Sequence, residues 1–341
     1  MSSAPENTGP SPDLIFEMLF GYQRTAALRA AIELDLFRAT GEGPGDVGSI
    51  ARRSGASERG IRILCDFLTV SGLLEKTEDR YRNTEVAAIF LDPRSPACVA
   101  ATARFMGMPA LQEPFNRLTE VIREGRTVLP GLGTVEPENP VWVEFARSMV
   151  PMMGPMAPLL AAIVLEGLEG PVSVLDIAAG HGLFGIEVAR RNPRARVVAV
   201  DWKPVLEVAL ENARAAKVQD RYETIPGSAF DVEFGGPHDI VLLTNFLHHF
   251  DPPTCIGLLR KVRAALKPGG RVAALEFVPN EDRVSPPRAA SFSLVMLATT
   301  ASGDAYTLSE LERMYRAAGF DRITARPLPG GSHSAVLGHS G

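Results

Sequence analysis

The chain has 341 residues, of which 45% are apolar and 22% are charged, so it is long enough for two globular domains with a large core. Its formal net charge of −5 provides no general field that would attract nucleic acid or an acidic membrane. The three cysteines, Cys65, Cys98 and Cys255, are too far apart in sequence for a metal or redox motif, so we expect reduced core thiols in a cytoplasmic protein.

The N-terminal third is expected to be mostly helical. Residues 1–12 lack a basic start, which predicts no signal peptide. Four helices are predicted in this part. The first is capped by Asp13 and runs to Ala30, and the second spans Ala26–Leu36. A short third helix begins at Ile50, and the fourth spans Ser57–Val70. Two short strands, Leu73–Lys76 and Tyr81–Thr84, complete a winged-helix pattern. Because apolar residues surround much of the first helix, we expect it to be buried against another subunit.

A winged helix can also bind DNA, and the sequence allows this alternative to be weighed. The candidate recognition helix, Ser57–Val70, carries Arg59 and Arg62 but few further basic residues. Acidic residues stand around it, namely Asp46, Glu75, Glu78 and Asp79. Phosphate neutralisation needs clustered Lys or Arg. We therefore expect residues 1–104 to be a dimerisation domain of a homodimer, with no nucleic acid partner.

The middle of the chain combines helices with apolar side chains that could serve a pocket. A helix is predicted over Ala100–Arg123 and a loop over Gly125–Pro140. After the loop come residues that suit either a core or an adaptable pocket wall, namely Trp142, Phe145, Met149, Met152, Met153 and Met156. Prolines break Val150–Leu165, so no membrane span is expected there. Residues 105–341 are expected to form the second domain, with connecting and substrate-pocket helices over 105–160.

One stretch, Val172–Asp201, has the pattern of a nucleotide-binding unit. A buried strand, Val172–Ile177, is followed by a small-residue turn and a helix over Leu183–Arg191. A second strand, Val197–Val200, then ends in Asp201, about 20 residues beyond the turn. A carboxylate at that place can accept hydrogen bonds from ribose hydroxyls, although Asp201 could also be a simple helix cap.

Helices and strands alternate after Asp201. The predicted elements are helix Lys203–Lys217, strand Tyr222–Pro226, strand Ile240–Leu243, helix Pro253–Leu266 with a stop at Lys267–Gly270, strand Arg271–Phe277, helix Leu308–Ala318 after Thr307, and strands Arg322–Arg326 and Ser334–Leu337. This order predicts an α/β fold with a Rossmann-like doubly wound sheet that ends in antiparallel strands.

Small or polar residues follow four of the predicted strands. In open α/β sheets the ligand lies beyond the carboxyl ends of the strands, so these residues are expected to meet at one site. The predicted cofactor-binding residues are Asp176, Ala178, Gly180, Gly182, Asp201, Trp202, Ser228, Ala229, Phe230, Thr244 and Asn245. Neither a GxGxxG turn nor a phosphate-binding P-loop is present in the sequence.

The sequence resembles the class I S-adenosylmethionine-dependent methyltransferases, and more narrowly the small-molecule O-methyltransferases typified by plant caffeic acid and bacterial polyketide enzymes of secondary metabolism. The turn DIAAGHG is similar to the family's DxGGGxG, and GSAF to an adenine-contacting GDxF element. The segment LLTNFLHHFD resembles the one that carries the catalytic histidine, which falls on His248, and AALEF places Glu276 on its orienting glutamate. The resemblance implies S-adenosylmethionine as cofactor, a hydroxyl acceptor on a small aromatic or polyketide-like metabolite, and a homodimer.

Some residues depart from the family pattern. Ser228 stands in place of the usual Asp, for which Asp231 could substitute, and Thr244 replaces a Lys of the plant enzymes. Ala305 stands where those enzymes have a second glutamate, so orientation of the base would rest on Glu276, with Asp304 undecided. These departures leave open C- or N-methylation, or a non-methylating reaction, on the same fold.

The histidines allow further alternatives. His248 and Glu276 could be a purely structural pair, and a metal site built from His181, His248 and His249 lacks supporting carboxylate spacing, so no metal is expected. His181 is expected to border the methionine part of the cofactor, and His249 to face a helix or solvent. A winged-helix regulator with a ligand-sensing domain is the non-enzymatic alternative.

Overall fold

The structure, a computed structural model, describes residues 10–341. Most of the segment in which no signal peptide was expected, residues 1–9, lies outside this part. The chain divides into two compact units, an N-terminal unit that ends at Arg104 and a C-terminal unit that begins at Phe105. Each unit has its own hydrophobic core.

The N-terminal unit combines helices with a small antiparallel sheet in the order β1-β3-β2. Its elements are α1 (Asp13–Glu33), α2 (Leu36–Gly41), β1 (Gly45–Asp46), α3 (Val47–Ser54), α4 (Glu58–Val70), β2 (Leu74–Thr77), β3 (Arg80–Asn83) and α5 (Glu85–Phe90). Side-chain caps begin two of the helices, since Asp46 accepts the Ser49 N–H at 2.9 Å and Ser57 accepts the Gly60 N–H at 3.1 Å. The two helices and the hairpin form the expected winged-helix arrangement.

Three expectations for this unit are wrong. Asp13 is the first residue of α1 and makes no side-chain cap. A separate helix over Ala26–Leu36 does not form, because α1 continues to Glu33 and the chain turns at Asp35, whose φ is 50°. Cys98 is only partly buried, whereas Cys65 and Cys255 are core thiols.

Helix α1 exposes apolar side chains along most of its length. In the described chain its only buried residue is Ala31. The apolar face of α1 comprises residues that are 48% to 77% exposed, namely Leu14, Ile15, Phe16, Met18, Leu19, Phe20 and Tyr22. Contiguous apolar surface of this kind is typical of an interaction site.

The C-terminal unit is built on a seven-stranded sheet in the order β6-β5-β4-β7-β8-β10-β9. Its strands are β4 (Ser173–Ile177), β5 (Arg196–Asp201), β6 (Tyr222–Pro226), β7 (His238–Thr244), β8 (Leu266–Phe277), β9 (Arg322–Pro327) and β10 (His333–His339). The first five strands in the sheet order are parallel, and β10 is antiparallel to both of its neighbours. The predicted doubly wound sheet with an antiparallel ending is therefore confirmed.

The helices from residue 102 onward are α6 (Thr102–Met106), α7 (Pro109–Asn116), α8 (Leu118–Glu124), α9 (Val141–Ser148), α10 (Val150–Met153), α11 (Ala157–Val164), α12 (Leu183–Arg191), α13 (Lys203–Ala215), α14 (Pro252–Ala264), α15 (Pro287–Ala290), α16 (Phe292–Thr299) and α17 (Leu308–Ala317). Helices α11, α12 and α13 pack on one face of the sheet, and α14 and α17 on the other. Short 3₁₀ turns occur at Gly154–Met156, Gln219–Arg221 and Leu247–His249. On β4, Val174 and Leu175 enter opposite core clusters, because successive side chains of a strand point to opposite faces.

The strand register sets the position of the site. Ile177, the last residue of β4, pairs with Val200 on one side and with Leu243 on the other. Thr244 pairs with Leu275, the residue before Glu276. The residues that follow β4, β5 and β7 therefore lie side by side with Glu276 at one edge of the sheet.

The structure corrects several predicted boundaries in this unit. Ala100–Arg123 is not one helix but α6, α7 and α8, and Pro109 begins α7 because proline suits the first turn and cannot continue a preceding helix. Lys267–Gly270 belongs to β8, which begins at Leu266, and the extra residues produce a register shift opposite His238 and Ile240. Helices α15 and α16 were not predicted.

Over residues 10–341, none of the individual helices has both the length and the apolar character needed to cross a membrane. The pair Val141–Ser148 and Val150–Val164, bent by 54°, meets those criteria only when its two halves are taken together, which is weak support because buried core helices do so too.

The close packing of α12 on the sheet can be tested by a substitution at Gly185. A Cβ at this position would lie 2.8 Å from both Asp176 Oδ2 and Val197 Cγ1. We expect Gly185→Ala to lower the free energy of unfolding by about 1–3 kcal/mol in urea titrations. Gly257→Ala in α14 is the matched control, because nothing lies within 4 Å of its added Cβ. It should leave stability unchanged or raise it by up to about 1 kcal/mol, and equal losses in both variants would contradict the close packing.

Candidate active site

A cavity of about 1350 Å³ lies beyond the carboxyl ends of the parallel strands, within the C-terminal unit. Its wall is mostly apolar, and all four methionines of the 149–156 segment contribute to it. Met149 and Met153 are also buried in a small core cluster, so the same side chains serve both core and pocket. Large apolar cavities with a few polar groups are the usual form of small-molecule sites.

The turn after β4 forms one wall of the cavity. Ala178, Gly180 and Gly182 have φ values of 54°, 57° and 74°, so the turn uses left-handed backbone at alternate positions. Asp201 holds the turn in place, since its Oδ2 accepts the Gly180 N–H at 2.8 Å and its Oδ1 accepts the Trp202 N–H at 2.7 Å. Ala178, Gly180, Asp201 and Trp202 all line the cavity.

Asp176 and Gly182 are not among the residues that line the cavity, and their contacts are with α12 and Tyr222. Asp176 is fully buried and its Oδ2 accepts the Gly185 N–H at 3.1 Å. A Cβ on Gly182 would lie 2.6 Å from the Tyr222 hydroxyl, so glycine is needed there for packing. Burial raises the pKa of Asp176 to about 7 and that of Asp201 to about 6.

The loop after β6 forms a second wall. Ser228, Ala229, Phe230 and Asp231 line the cavity, and Ser228 Oγ accepts the Phe230 N–H at 3.2 Å. Lys261 of α14 fixes the loop, because its ammonium group donates to the carbonyl oxygens of Ala229 at 3.1 Å, Phe230 at 3.0 Å and Val232 at 2.6 Å. Lys261 was not among the predicted site residues, because only its position on one face of α14 could have indicated this contact.

The histidine and glutamate expected to form the catalytic pair are in direct contact. His248 Nδ1 and Glu276 Oε2 are hydrogen-bonded, and both side chains are buried. Glu276 Oε1 also accepts the N–H groups of Phe246 at 3.0 Å and Leu247 at 2.8 Å. The glutamate thus fixes both the 3₁₀ turn and the imidazole, and His248 lines the cavity.

Asp304 makes no side-chain contact with His248 in the described chain. Its backbone N–H donates to the His248 carbonyl oxygen at 2.9 Å, while its carboxylate lies 3.4 Å from Arg283. Ala305 is fully buried. Orientation of His248 through a carboxylate therefore rests on Glu276.

Thr244 and Asn245 line the cavity where β7 ends. Asn245 has a φ of 54°, and its Oδ1 accepts a hydrogen bond from His333 Nε2 at 3.0 Å. Its amide nitrogen lies 3.9 Å from Met153 Sδ. The Asn245 side chain therefore ties β7 to β10 and to the methionine wall. His333 came from the antiparallel ending of the sheet and was not among the predicted site residues.

His249 faces helix α9 rather than solvent, and it also lines the cavity, which was not predicted. Its ring is 8% exposed, lines the cavity, and lies 4.3 Å from the His248 ring and 5.1 Å from the Trp142 ring. Burial lowers the pKa of His249 well below its usual value, so the imidazole is neutral. His181 also lines the cavity, and burial lowers its pKa to about 4. Within residues 10–341, no three His, Cys, Asp or Glu side chains are grouped to hold a metal ion.

Comparisons with known proteins identify the class. Residues 142–321 match the O-methyltransferase domain family, and residues 16–93 match the O-methyltransferase dimerisation domain. The fold is that of human N-acetylserotonin methyltransferase solved with S-adenosylmethionine, with a TM-score of 0.86 at 23% identity over 99% of this chain and 100% of that one. The chain belongs to the O-methyltransferase family and is an S-adenosylmethionine-dependent methyltransferase.

Other relatives are similar over nearly their whole length. The 3-hydroxy-5-methyl-1-naphthoate 3-O-methyltransferase of Streptomyces sahachiroi is 32% identical over 338 residues, which is 96% of this chain and 95% of that protein. A solved structure assigned to an O-methyltransferase of Nostoc punctiforme is 48% identical, with a TM-score of 0.94 over 97% of this chain and 100% of that one. The predicted family, fold, enzyme class and cofactor are confirmed.

Proposed function

We propose that this enzyme methylates a hydroxyl of a small aromatic or polyketide-like metabolite, with His248 as the general base. The observation that carries the proposal is the buried His248–Glu276 pair on the wall of a large apolar cavity. The names of two relatives agree with such an acceptor. One is the naphthoate enzyme, and the other is the tetracenomycin polyketide 8-O-methyltransferase of Streptomyces glaucescens, 28% identical over 95% of this chain and 96% of that protein.

The turn after β4 and the end of β5 suit the adenosine part of the cofactor. Asp201 uses one lone pair of each oxygen on backbone N–H groups, and every carboxylate oxygen has a second lone pair available for ribose hydroxyls. Ala178 and Gly180 expose backbone at the cavity wall with little side chain in the way. We expect Ser228, Ala229 and Phe230 to border the adenine, and Thr244 with Asn245 to border the methionine part. When bound, S-adenosylmethionine supplies a methyl group on a positively charged sulfur.

The catalytic step requires the acceptor hydroxyl to lose its proton as the oxygen gains the methyl group. His248 donates its Nδ1–H to Glu276, which leaves Nε2 as the acceptor of that proton. The carboxylate of Glu276 then stabilises the imidazolium that forms and keeps the ring orientation unchanged. The neighbouring aromatic ring of Phe292, 4.9 Å from the His248 ring, helps exclude water from this position.

The apolar face of α1 supports a homodimer. Helix α1 exposes side chains such as Leu14, Met18 and Tyr22 by 68% to 77%, an unfavourable arrangement for an isolated chain in water. The matched dimerisation domain begins at residue 16, within this helix. We infer that α1 packs against a second copy of the chain.

The base is tested by His248→Ala and Glu276→Gln in a mass-shift screen of phenolic and polyketide acceptors with S-adenosylmethionine. We expect kcat to fall by about 10²–10⁴-fold in His248→Ala and by less in Glu276→Gln, because the latter keeps a hydrogen-bonding partner. His339→Ala, on β10 and outside the cavity wall, is the control and should keep wild-type activity. An equally fast His248→Ala would refute the base, and methylation at carbon or nitrogen, seen by NMR of the product, would refute the hydroxyl acceptor.

The ribose contact is tested by calorimetry of S-adenosylhomocysteine with Asp201→Asn. We expect the affinity for S-adenosylhomocysteine to fall about 10–100-fold, because the substitution weakens hydrogen bonds to a charged group. Because the pKa of Asp201 is raised to about 6 and hydroxyl donors favour the carboxylate, wild-type affinity should weaken as the pH falls through 6. Asp201→Asn should lose that pH dependence, whereas the exposed Asp220→Asn should retain it. Unchanged affinity in Asp201→Asn would refute the assignment.

The dimer is tested by light scattering of the double variant Ile15→Glu, Met18→Glu. Charges on the apolar face of α1 should convert the dimer to monomer, because burying them unpaired at an interface is costly. Glu17→Gln changes the same helix without altering that face, so it should remain dimeric. A monomeric wild-type protein at micromolar concentration would contradict the proposal.

A further inference from the structure

We propose that Arg288 binds a carboxylate of the acceptor, so that the natural substrate is a hydroxylated aromatic acid. This inference rests on the proposed function and names the substrate class of the same site.

Arg288 lines the cavity and lies close in the chain to a residue that contacts the catalytic histidine. It lies in α15 and lines the cavity from a solvent-exposed position. Ser291 has helical torsions and donates its N–H to the Pro287 carbonyl oxygen at 2.9 Å. Helix α15 therefore continues into α16 with little change of direction or conformation at Ser291. Phe292, one helical turn after Arg288, packs against the His248 ring. Phe292 therefore connects the helical turn that carries Arg288 with the catalytic histidine.

The Arg288 guanidinium has no ion pair or side-chain hydrogen bond with any residue from 10 to 341. Arg283, five residues earlier, pairs with both Asp304 and Glu310. A guanidinium carries five donors in a planar fork that matches a carboxylate in two parallel hydrogen bonds. At the cavity wall Arg288 is thus a permanent positive charge whose donors remain available to a ligand.

The distribution of charge along the cavity favours an anion at this end. The cofactor wall contributes the carboxyl groups of Asp201 and Asp231, which would repel an anionic group. On the side of Arg288 the rings of Phe277 and Phe292 are stacked at 3.8 Å, and the buried carboxylate of Glu276 is already satisfied by three hydrogen-bond donors. An aromatic acceptor would contact these rings while its carboxylate reaches the exposed guanidinium and stays partly hydrated, which avoids the cost of burying the charge. The carboxylate would also fix which end of the acceptor enters first.

The test compares hydroxybenzoic and hydroxynaphthoic acids with their primary amides as acceptors, using wild type, Arg288→Met and Arg288→Lys. We expect the wild type to favour the acid in kcat/KM by about tenfold, the scale of a partly exposed charge-assisted pair. Arg288→Met should bring the acid-to-amide ratio close to one through a higher KM for the acid, and Arg288→Lys should restore part of it. Arg313→Met, at an exposed site in α17, should keep the wild-type ratio.

The outcomes separate this proposal from the one on which it rests. Methylation of amides and acids at equal efficiency by the wild type, or an undiminished acid preference in Arg288→Met, would overturn the role of Arg288 while the O-methyltransferase function stands. Failure of every hydroxylated acceptor to gain a methyl group would overturn the proposed function and this inference with it. Unchanged thermal melting of Arg288→Met would show that a lost preference is not caused by misfolding.

Discussion

The buried carboxylate of Glu276 is the group on which the geometry of the site depends. It lies near the end of β8 and accepts hydrogen bonds from two backbone N–H groups of the turn after β7 as well as from His248. A carboxylate removed from water is costly unless its oxygens are satisfied, and here three donors satisfy it. The same contacts that make the charge tolerable fix the turn and the imidazole, so stability and orientation of the base have one physical origin.

A second carboxylate has the same role at the opposite wall. Asp201, at the end of β5, accepts the Gly180 N–H and thereby ties the turn after β4 to the neighbouring strand. The parallel register brings this carboxylate and Glu276 to one edge of the sheet, on either side of β4 and β7. The cavity therefore has two walls that are each held by an acid and a backbone loop. Between them lie apolar side chains that can adapt to an acceptor.

Much of this arrangement could be predicted from local sequence. The strand, turn and helix of Val172–Arg191 are encoded by β-branched residues, small turn residues and helical spacing, and the structure reproduces their bounds within a residue. The predicted pairing of His248 with Glu276 agrees with their contact. Boundaries failed where a local signal was ambiguous. Lys267–Gly270 resembles a helix stop, yet it belongs to β8 because Leu266 and Arg271 on either side of it pair with β7.

The sequence by itself determined the order of the elements, the nature of the turn and the identity of the acids, because these depend on residues close together in the chain. Only the tertiary structure decided which distant side chains share the cavity. His249 was expected to face a helix or solvent, and it packs against Trp142 of α9 while also lining the cavity. Arg288 and His333 line the cavity, and Lys261 holds one of its loops, from helices and a strand whose faces are set by packing. Local periodicity does not show which distant residues pack together, so these contacts could not be predicted from residue spacing alone.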